Sequence, residues 1–303
     1  MRRIYFLLVL LFIFSNTIFG QNEDTAKVDS LPMWNIGGIG NINFSQGYQE
    51  NWVEGGESSI TTLSVLNLFA NYDSKKTNWE NTVDLKFGIL NLPEEAEWRK
   101  NEDNIEINSI LNRISYRKWN YSVMLGFKTQ FAEGKDYGPD TPVVVSDFMA
   151  PGYLTISTGM NYKYKKLFSV LISPLTLKYT FVNDTVLIDQ TKYGLEPDKK
   201  TRREFGAYIK SKIKFDITED IQISSKLGLF SNYKNNPQNI DIDWEGNINM
   251  KVNKYIVASI MLRIIYDDDI EISTGEYDEQ GNEITGPRMQ FKELLGLGFS
   301  YKF

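Results

Sequence analysis

Met289-Gln-Phe-Lys-Glu-Leu-Leu-Gly-Leu-Gly-Phe-Ser-Tyr-Lys-Phe303 closes the chain. Leu295, Leu297, Phe299, Tyr301 and Phe303 share one parity; Gly296, Gly298, Ser300 and Lys302 share the other. A period of two gives a strand with one apolar face and one small or polar face. Alternation that runs up to an aromatic last residue reads as the closing strand of a bacterial outer-membrane β-barrel, the segment that barrel-assembly machinery would engage.

The first residues agree. Met1-Arg2-Arg3 is a positive n-region, residues 4–14 are an unbroken apolar run, and Gly20 precedes Gln21. This is the pattern of a secretory signal peptide over 1–20, followed by a short periplasmic segment over 21–33 and a barrel over 34–303. The alternative is an uncleaved anchor, but the run is shorter than the roughly 20 residues that a spanning helix needs. The chain has 303 residues, no Cys and no His, and a net charge of −6. The missing His removes Ser–His and Cys–His catalysis, His bases and His-ligated metals. Without Cys there is no disulfide framework, and the acidity argues against nucleic acid as a partner.

The same alternation recurs from Trp34 onward. Ile240, Ile242, Trp244, Ile248, Met250 and Val252 oppose Asp241, Asp243, Glu245, Asn247, Asn249 and Lys251. A helix would carry charge on every side with that pattern. Phe205, Ala207, Ile209, Ile213, Phe215 and Ile217 oppose Tyr208, Lys210, Lys212 and Lys214, and Val123, Leu125 and Phe127 oppose Ser122, Lys128 and Gln130. About twelve such segments can be counted: 34–46, 60–72, 78–90, 103–117, 119–132, 152–164, 167–182, 203–217, 220–231, 239–252, 255–268 and 289–303. The segment over 103–117 changes apolar parity between Leu111 and Ile114, which suggests a bulge or a misplaced edge.

Connections alternate in length. Short ones at 73–77, 117–118, 165–166, 218–219 and 253–254 interleave with mostly longer ones at 47–57, 91–101, 133–151, 183–202 and 269–287. Short turns on one rim and long loops on the other are the outer-membrane arrangement. Trp34, Tyr72, Trp79, Trp119, Tyr162, Tyr164, Phe168, Phe215, Tyr255, Tyr301 and Phe303 fall at short-turn ends. Phe44, Phe131, Tyr153, Phe181, Tyr266 and Phe291 fall toward long-loop ends. Two aromatic girdles at the membrane interfaces would result. The expected fold is therefore all-β: a transmembrane antiparallel up-and-down β-barrel of about twelve strands. A secreted sandwich or soluble barrel with an aromatic core is the alternative.

Several segments resemble one family in order and spacing. They are Asn43-Phe-Ser-Gln46 with Asn51-Trp52 and Gly55-Gly56; Lys128-Thr-Gln-Phe131; Ser146-Asp-Phe-Met-Ala-Pro151; Ser173-Pro174; Tyr193-Gly194; Ile240-Asp-Ile-Asp-Trp244; Tyr266-Asp-Asp-Asp-Ile270; and the end from Lys292-Glu293 to Phe303. Over nearly the whole mature chain this is similar to the Bacteroidota proteins grouped as domain of unknown function 3078. The resemblance implies an outer-membrane barrel of a Gram-negative bacterium and brings no activity or catalytic residue.

Three constellations are candidates for chemistry. Asp267, Asp268, Asp269 and Glu271 open the last long loop, where clustered carboxylates suit Ca²⁺ or Mg²⁺ or bridge lipopolysaccharide phosphates; a solvated acidic loop is the plain alternative. Asp241, Asp243 and Glu245 on one strand and Lys210, Lys212 and Lys214 two strands away would face the lumen, with Lys86, Lys128, Lys178, Lys226, Lys251 and Arg263 joining them. Opposed ladders either set the selectivity of a pore or pair and plug it. Asn51, Trp52, Gly55 and Gly56 form a tight aromatic turn, where Gly permits positive φ. Glu94 and Glu95 are paired carboxylates with no fixed separation. The expected role is a porin-like channel or binding barrel for small solutes or lipids, without a catalytic site and with an unassigned ligand. The alternative is a plugged scaffold that presents loops to partners, and less favoured again is a His-free hydrolase.

Overall fold

In the computed structural model, alternation along each segment produces strands and the short turns pair them. The structure describes residues 33–47, 59–92, 97–137, 141–183, 188–197, 199–278, 280 and 283–303. The expected signal peptide, Asn51, Trp52, Gly55 and Gly56, and Glu94 and Glu95 lie outside these residues.

Strands β1 Trp34–Gly47, β2 Ser59–Asp73, β3 Thr77–Asn91, β4 Trp98–Tyr116 and β5 Trp119–Thr129 follow one another directly. A small hairpin, β6 Gly134–Asp136 with β7 Val143–Ser146, stands between β5 and β8 Gly152–Tyr164. Next come β9 Phe168–Phe181, β10 Thr201–Asp216, β11 Ile221–Asn232, β12 Asp241–Lys251 and β13 Ile256–Tyr266. A second hairpin, β14 Glu271–Tyr277 with β15 Glu283–Pro287, precedes β16 Gln290–Lys302. The barrel closes in the order β1-β16-β13-β12-β11-β10-β9-β8-β5-β4-β3-β2, twelve strands with every neighbour antiparallel.

Two boundaries differ from the sequence reading by three residues or more. β4 starts at Trp98 rather than near 103, because a register shift at Gly88/Ile89 lets residues 98–100 go on pairing with β3. β5 stops at Thr129, because the Asp103 carboxylate takes the backbone N–H groups of Phe131 and Ala132 at 2.7 and 3.0 Å. The irregularity expected in the 103–117 segment is a register shift between Ile114 and Tyr116.

The two faces are inverted relative to a soluble barrel. The interior buries Asn43, Asp84, Asn104, Asn108, Asn112, Asn161 and Glu204, whereas Leu125, Ile156, Leu177, Ile213, Leu295, Leu297 and Phe299 are exposed on the outside. Apolar side chains outside and hydrogen-bonded polar ones inside fit hydrocarbon around the wall, and closure leaves no free sheet edge of the kind a lipid solvent forbids. Outward-facing polar atoms are matched in the same spirit: Trp79 Nε1 donates to Ser109 Oγ at 2.8 Å, and Trp244 Nε1 to Ser225 Oγ at 2.9 Å.

Aromatics gather at the short-turn rim. Trp34 sits 5.4 Å from Tyr72 and 5.9 Å from Trp79, and Trp119 sits 5.2 Å from Tyr162. At the long-loop end Phe87 meets Phe131 and Tyr179 meets Phe181. Tyr153 leaves that girdle. It shares parity with Ser157, which is fully buried, and lines the interior.

Candidate functional site: an ion-paired lumen beneath an outward vestibule

On β12 the alternation turns Asp241, Asp243 and Glu245 into the lumen, and each meets a cation. Glu245 pairs with Lys86 of β3 at 2.5 Å, and the two side chains are 13% and 7% exposed. Asp243 takes Lys128 of β5 at 3.2 Å and Arg263 of β13 at 3.0 Å. Asp241 takes Lys178 of β9 at 2.9 Å. Lys226 of β11 reaches Asp84 of β3 at 2.7 Å, where Asn67 also donates to the carboxylate at 2.7 Å.

Most of these pairs cross the lumen. β3 and β11 stand six strands apart in a barrel of twelve, and β3 and β12 five apart. An evenly round barrel of that size would be roughly 24 Å across between backbones, given strands about 4.8 Å apart and tilted about 40°. A lysine, an aspartate and the bond between them span only about 13 Å. The walls at β3 and β11 must therefore approach, and the lumen is flattened where the pairs form. Paired, hydrogen-bonded charges are the form in which such groups tolerate burial.

The Lys210, Lys212 and Lys214 ladder does not pair with the Asp241, Asp243 and Glu245 ladder. β10 and β12 belong to the same stretch of wall, so their side chains run side by side, and each carboxylate is met from elsewhere. Lys210 donates to Asn108 Oδ1 at 2.6 Å and lies 3.7 Å from Glu106, both on β4. Lys212 and Lys214 have no carboxylate within ion-pair distance among the described residues and sit toward the short-turn mouth. Lys251 is exposed at the rim, donating to the Glu219 carbonyl at 3.2 Å. Below the belt the lumen is rich in amides: Asn112 donates to Asn78 at 3.0 Å and accepts from Ser122 at 2.6 Å and Asn161 at 2.9 Å, and Lys163, which also donates to Asn78, pairs with Glu80 at 2.5 Å.

Above the belt, a cavity of about 1850 Å³ opens toward the long loops. Tyr153, Arg202, Arg263, Lys128, Asp269 and Lys292 are among its lining residues. Its lower wall is crossed by Lys292, which lies 2.5 Å from Glu102 and donates to the Asn101 carbonyl. The cap is folded. Ala150, Val182, Ile188 and Leu195 form a small buried core with Val144 and Tyr193. Gln190–Tyr193 is a 3₁₀ turn in which the Asp189 carboxylate accepts from Thr191 N at 3.0 Å. The Tyr193 hydroxyl donates to the Val145 carbonyl at 2.5 Å, and burial pushes its phenol up to about 12.

The acidic run at the last long loop is dispersed among protein donors. Asp267 faces Lys178 at 3.4 Å, Asp268 accepts from Asn239 at 2.5 Å, and Asp269 pairs with Arg202 at 2.5 Å and accepts from Asn235 at 2.9 Å. Glu271 accepts from Thr285 at 2.7 Å. Among the described residues no group of three or more carboxylates is arranged to hold a metal ion. Lys178 Nζ lies 2.9 Å from Asp241, 3.4 Å from Asp267 and 3.7 Å from Glu204.

Sequence reasoning missed Asp84, Glu102, Glu106 and Glu204, the partners from other strands. A signal for Asp84 existed: Glu80, Asp84 and Lys86 share a parity against Trp79, Val83, Leu85 and Phe87.

The family model described as "Protein of unknown function (DUF3078)" matches residues 44–134. That span contains residues 44–46, 51–52, 55–56 and 128–131 of the family-like segments, and those from Ser146 onward lie beyond it. No curated protein sequence matches the chain. Among solved structures the chain is similar to the COG4313 outer membrane channel from Pseudomonas putida F1, at 11% identity and a TM-score of 0.39, covering 93% of this chain and 100% of that one. It is also similar to the translocator domain of the autotransporter NalP from Neisseria meningitidis, at 9% identity and a TM-score of 0.33, covering 91% and 90%. A third is the toluene transporter TodX of P. putida, at 12% identity and a TM-score of 0.32, covering 90% and 80%.

Proposed function

We propose that this chain is an outer-membrane barrel of a Gram-negative bacterium of the Bacteroidota, which binds a small solute or lipid in its outward vestibule and holds its lumen shut with transverse ion pairs. One observation carries the reading: a polar cavity of about 1850 Å³ at the long-loop end, with a floor of charges that are already paired. Roomy concave sites lined by a few convergent polar groups and aromatics are the usual form of ligand sites. The role is non-enzymatic, and the chain's lack of His supports that. Lipopolysaccharide would surround the long loops, and the outward face of β16 is the surface offered to assembly machinery.

The test is native mass spectrometry of the purified barrel, together with its melting temperature in a panel of soluble glycerophosphodiesters and saccharides. A retained molecule, or a stabilising solute whose effect is lost in Tyr153→Ala, supports binding. A second reading, a plugged scaffold, is favoured by the cross-lumen pairs. A barrel that retains nothing and responds to no solute would leave the scaffold.

A further inference from the structure

The short-turn rim is strongly basic on one half only. Three successive turns, β2–β3, β4–β5 and β8–β9, join six consecutive strands of the wall. Each carries a pair of cations: Lys75-Lys76, Arg117-Lys118 and Lys165-Lys166. The carboxylate in these turns, Asp73, already accepts from Asn78 at 2.5 Å. On the other half the turns over 216–221 and 251–256 mix signs, with Asp216, Glu219 and Asp220 against Lys251 and Lys254. The whole chain carries −6, so the basic arc runs against its composition.

The arc is held in place. The Lys76 carbonyl accepts from Ile114 N at 3.0 Å, the Lys118 carbonyl from Lys163 N at 3.1 Å, and the Leu167 carbonyl from Lys214 N at 2.8 Å. Each turn is thereby tied to the next strand along. Arg117 and Lys165 have φ of 56° and 53°, the left-handed region where Gly, Asn and Asp are the usual occupants. Charge is kept at both positions in spite of that backbone strain. All six residues of the arc are exposed. Among the described residues none of the six has a carboxylate within ion-pair distance.

The arc also faces the membrane. Lys118 Nζ stands 3.9 Å from the centroid of the exposed Tyr164 ring, and the Arg117 guanidinium 5.1 Å from that of Tyr116. Tyr116 pairs across with Trp119 of the girdle. Arg113 reaches furthest outward. It shares parity with the exposed Leu111 and pairs across with the exposed Tyr121, so it projects from the outer wall. A charge on that face is costly near the midplane and tolerated at the interface, where an anion can meet it. A protein approaching from the periplasm could meet the turns but not Arg113, whereas a lipid headgroup meets both. Phosphate oxygens suit an Arg fork and Lys point charges together.

We infer that this half of the short-turn rim binds the phosphate headgroups of anionic glycerophospholipids in the periplasmic leaflet, with Arg113 and Lys118 of one hairpin at its centre. The site lies at the end away from the vestibule, and neither needs the other.

The chain has no Cys, so single cysteines report cleanly. Bimane is attached to the mature barrel at Thr77→Cys, which pairs across with Arg113, or at the exposed Val252→Cys on the mixed-sign half. Each barrel is reconstituted in vesicles of phosphatidylcholine and phosphatidylglycerol at one fixed ratio, with brominated acyl chains on one lipid or the other. Bromine quenches on contact, so the ratio of the two quenchings reports headgroup preference. Phosphatidylglycerol should be preferred roughly five-fold at Thr77→Cys, the effect of one cation near an anionic headgroup. No preference should appear at Val252→Cys. Adding Arg113→Gln with Lys118→Gln should remove the preference, and Arg113→Lys with Lys118→Arg should keep it. Salt at 1 M should also remove it without any change to the arc, because exposed charges are then screened within about 3 Å. Equal quenching by both lipids at Thr77→Cys would overturn the proposal and leave the arc to a soluble acidic partner. An equal preference at Val252→Cys, or one that survives the Gln pair or the salt, would also overturn it. A preference removed by soluble glycerol phosphate would point to a free phosphate site and overturn the lipid assignment.

Discussion

The two faces of a single strand solve opposite problems. On β12 the outward row of Ile242, Trp244, Ile248 and Met250 needs only hydrocarbon around it. The inward row of Asp241, Asp243 and Glu245 needs a specific cation at each position, supplied by strands as far away as β3 and β5. The outward face is therefore tolerant of which apolar residue it carries and intolerant of charge. The inward face tolerates charge and is intolerant of losing a partner.

The largest effect should come from unpairing the belt. Lys86→Met leaves Glu245 buried without its ion-pair partner, with only Asn247 donating to it and Lys226 beside it, which should cost about 3 kcal/mol. Urea unfolding of the folded barrel in vesicles reads this directly. Adding Glu245→Met should restore most of the loss. A double variant as weak as the single would mean that the pair is not the reason. Next comes charge on the outward face: Ile248→Arg should cost roughly 2–4 kcal/mol near the midplane and less toward an interface. Its neighbour Asn247→Arg, turned inward beside Glu245, should cost well under that in the same assay. Equal losses would contradict the register. The smallest effect is local and lies in the cap. Tyr193 holds its proton more tightly in the folded cap, near 12, than an ordinary phenol near 10. Its contribution to the order of the cap is thus complete below about pH 10 and lost as pH rises toward about 12. Hydrogen exchange around Val145 should speed up over that interval in the native protein. In Tyr193→Phe that pH dependence should be absent.

This contrast also marks what could be read from the sequence. Periodicity assigned faces well: β10, β12 and β16 were legible because each position has only two choices. Loop lengths gave the two rims. Partners across the lumen were not legible, because alternation says that Lys86 and Glu245 point inward but not that β3 and β12 stand opposite at one height. That depends on strand stagger and on the flattening of the barrel. Tyr153 was misread for a related reason. Its position near a loop suggested the girdle, while its parity with Ser157 placed it inside. The early start of β4 depended on a bulge at Gly88/Ile89 that no local pattern announces. The acidic run from Asp267 is legible in the sequence as clustered carboxylates, and only the fold brings Lys178 and Arg202 beside it.

Whether the paired belt closes the lumen is tested most directly by conductance. The native barrel, inserted in a planar bilayer at neutral pH and low salt, should pass no sustained current. Replacing Lys86, Lys226, Asp84 and Glu245 together with Ser removes two crossing pairs at once without leaving a lone charge, and should open a steady conductance. A native barrel that carries a continuous open-pore current, unchanged in that variant, would contradict the account.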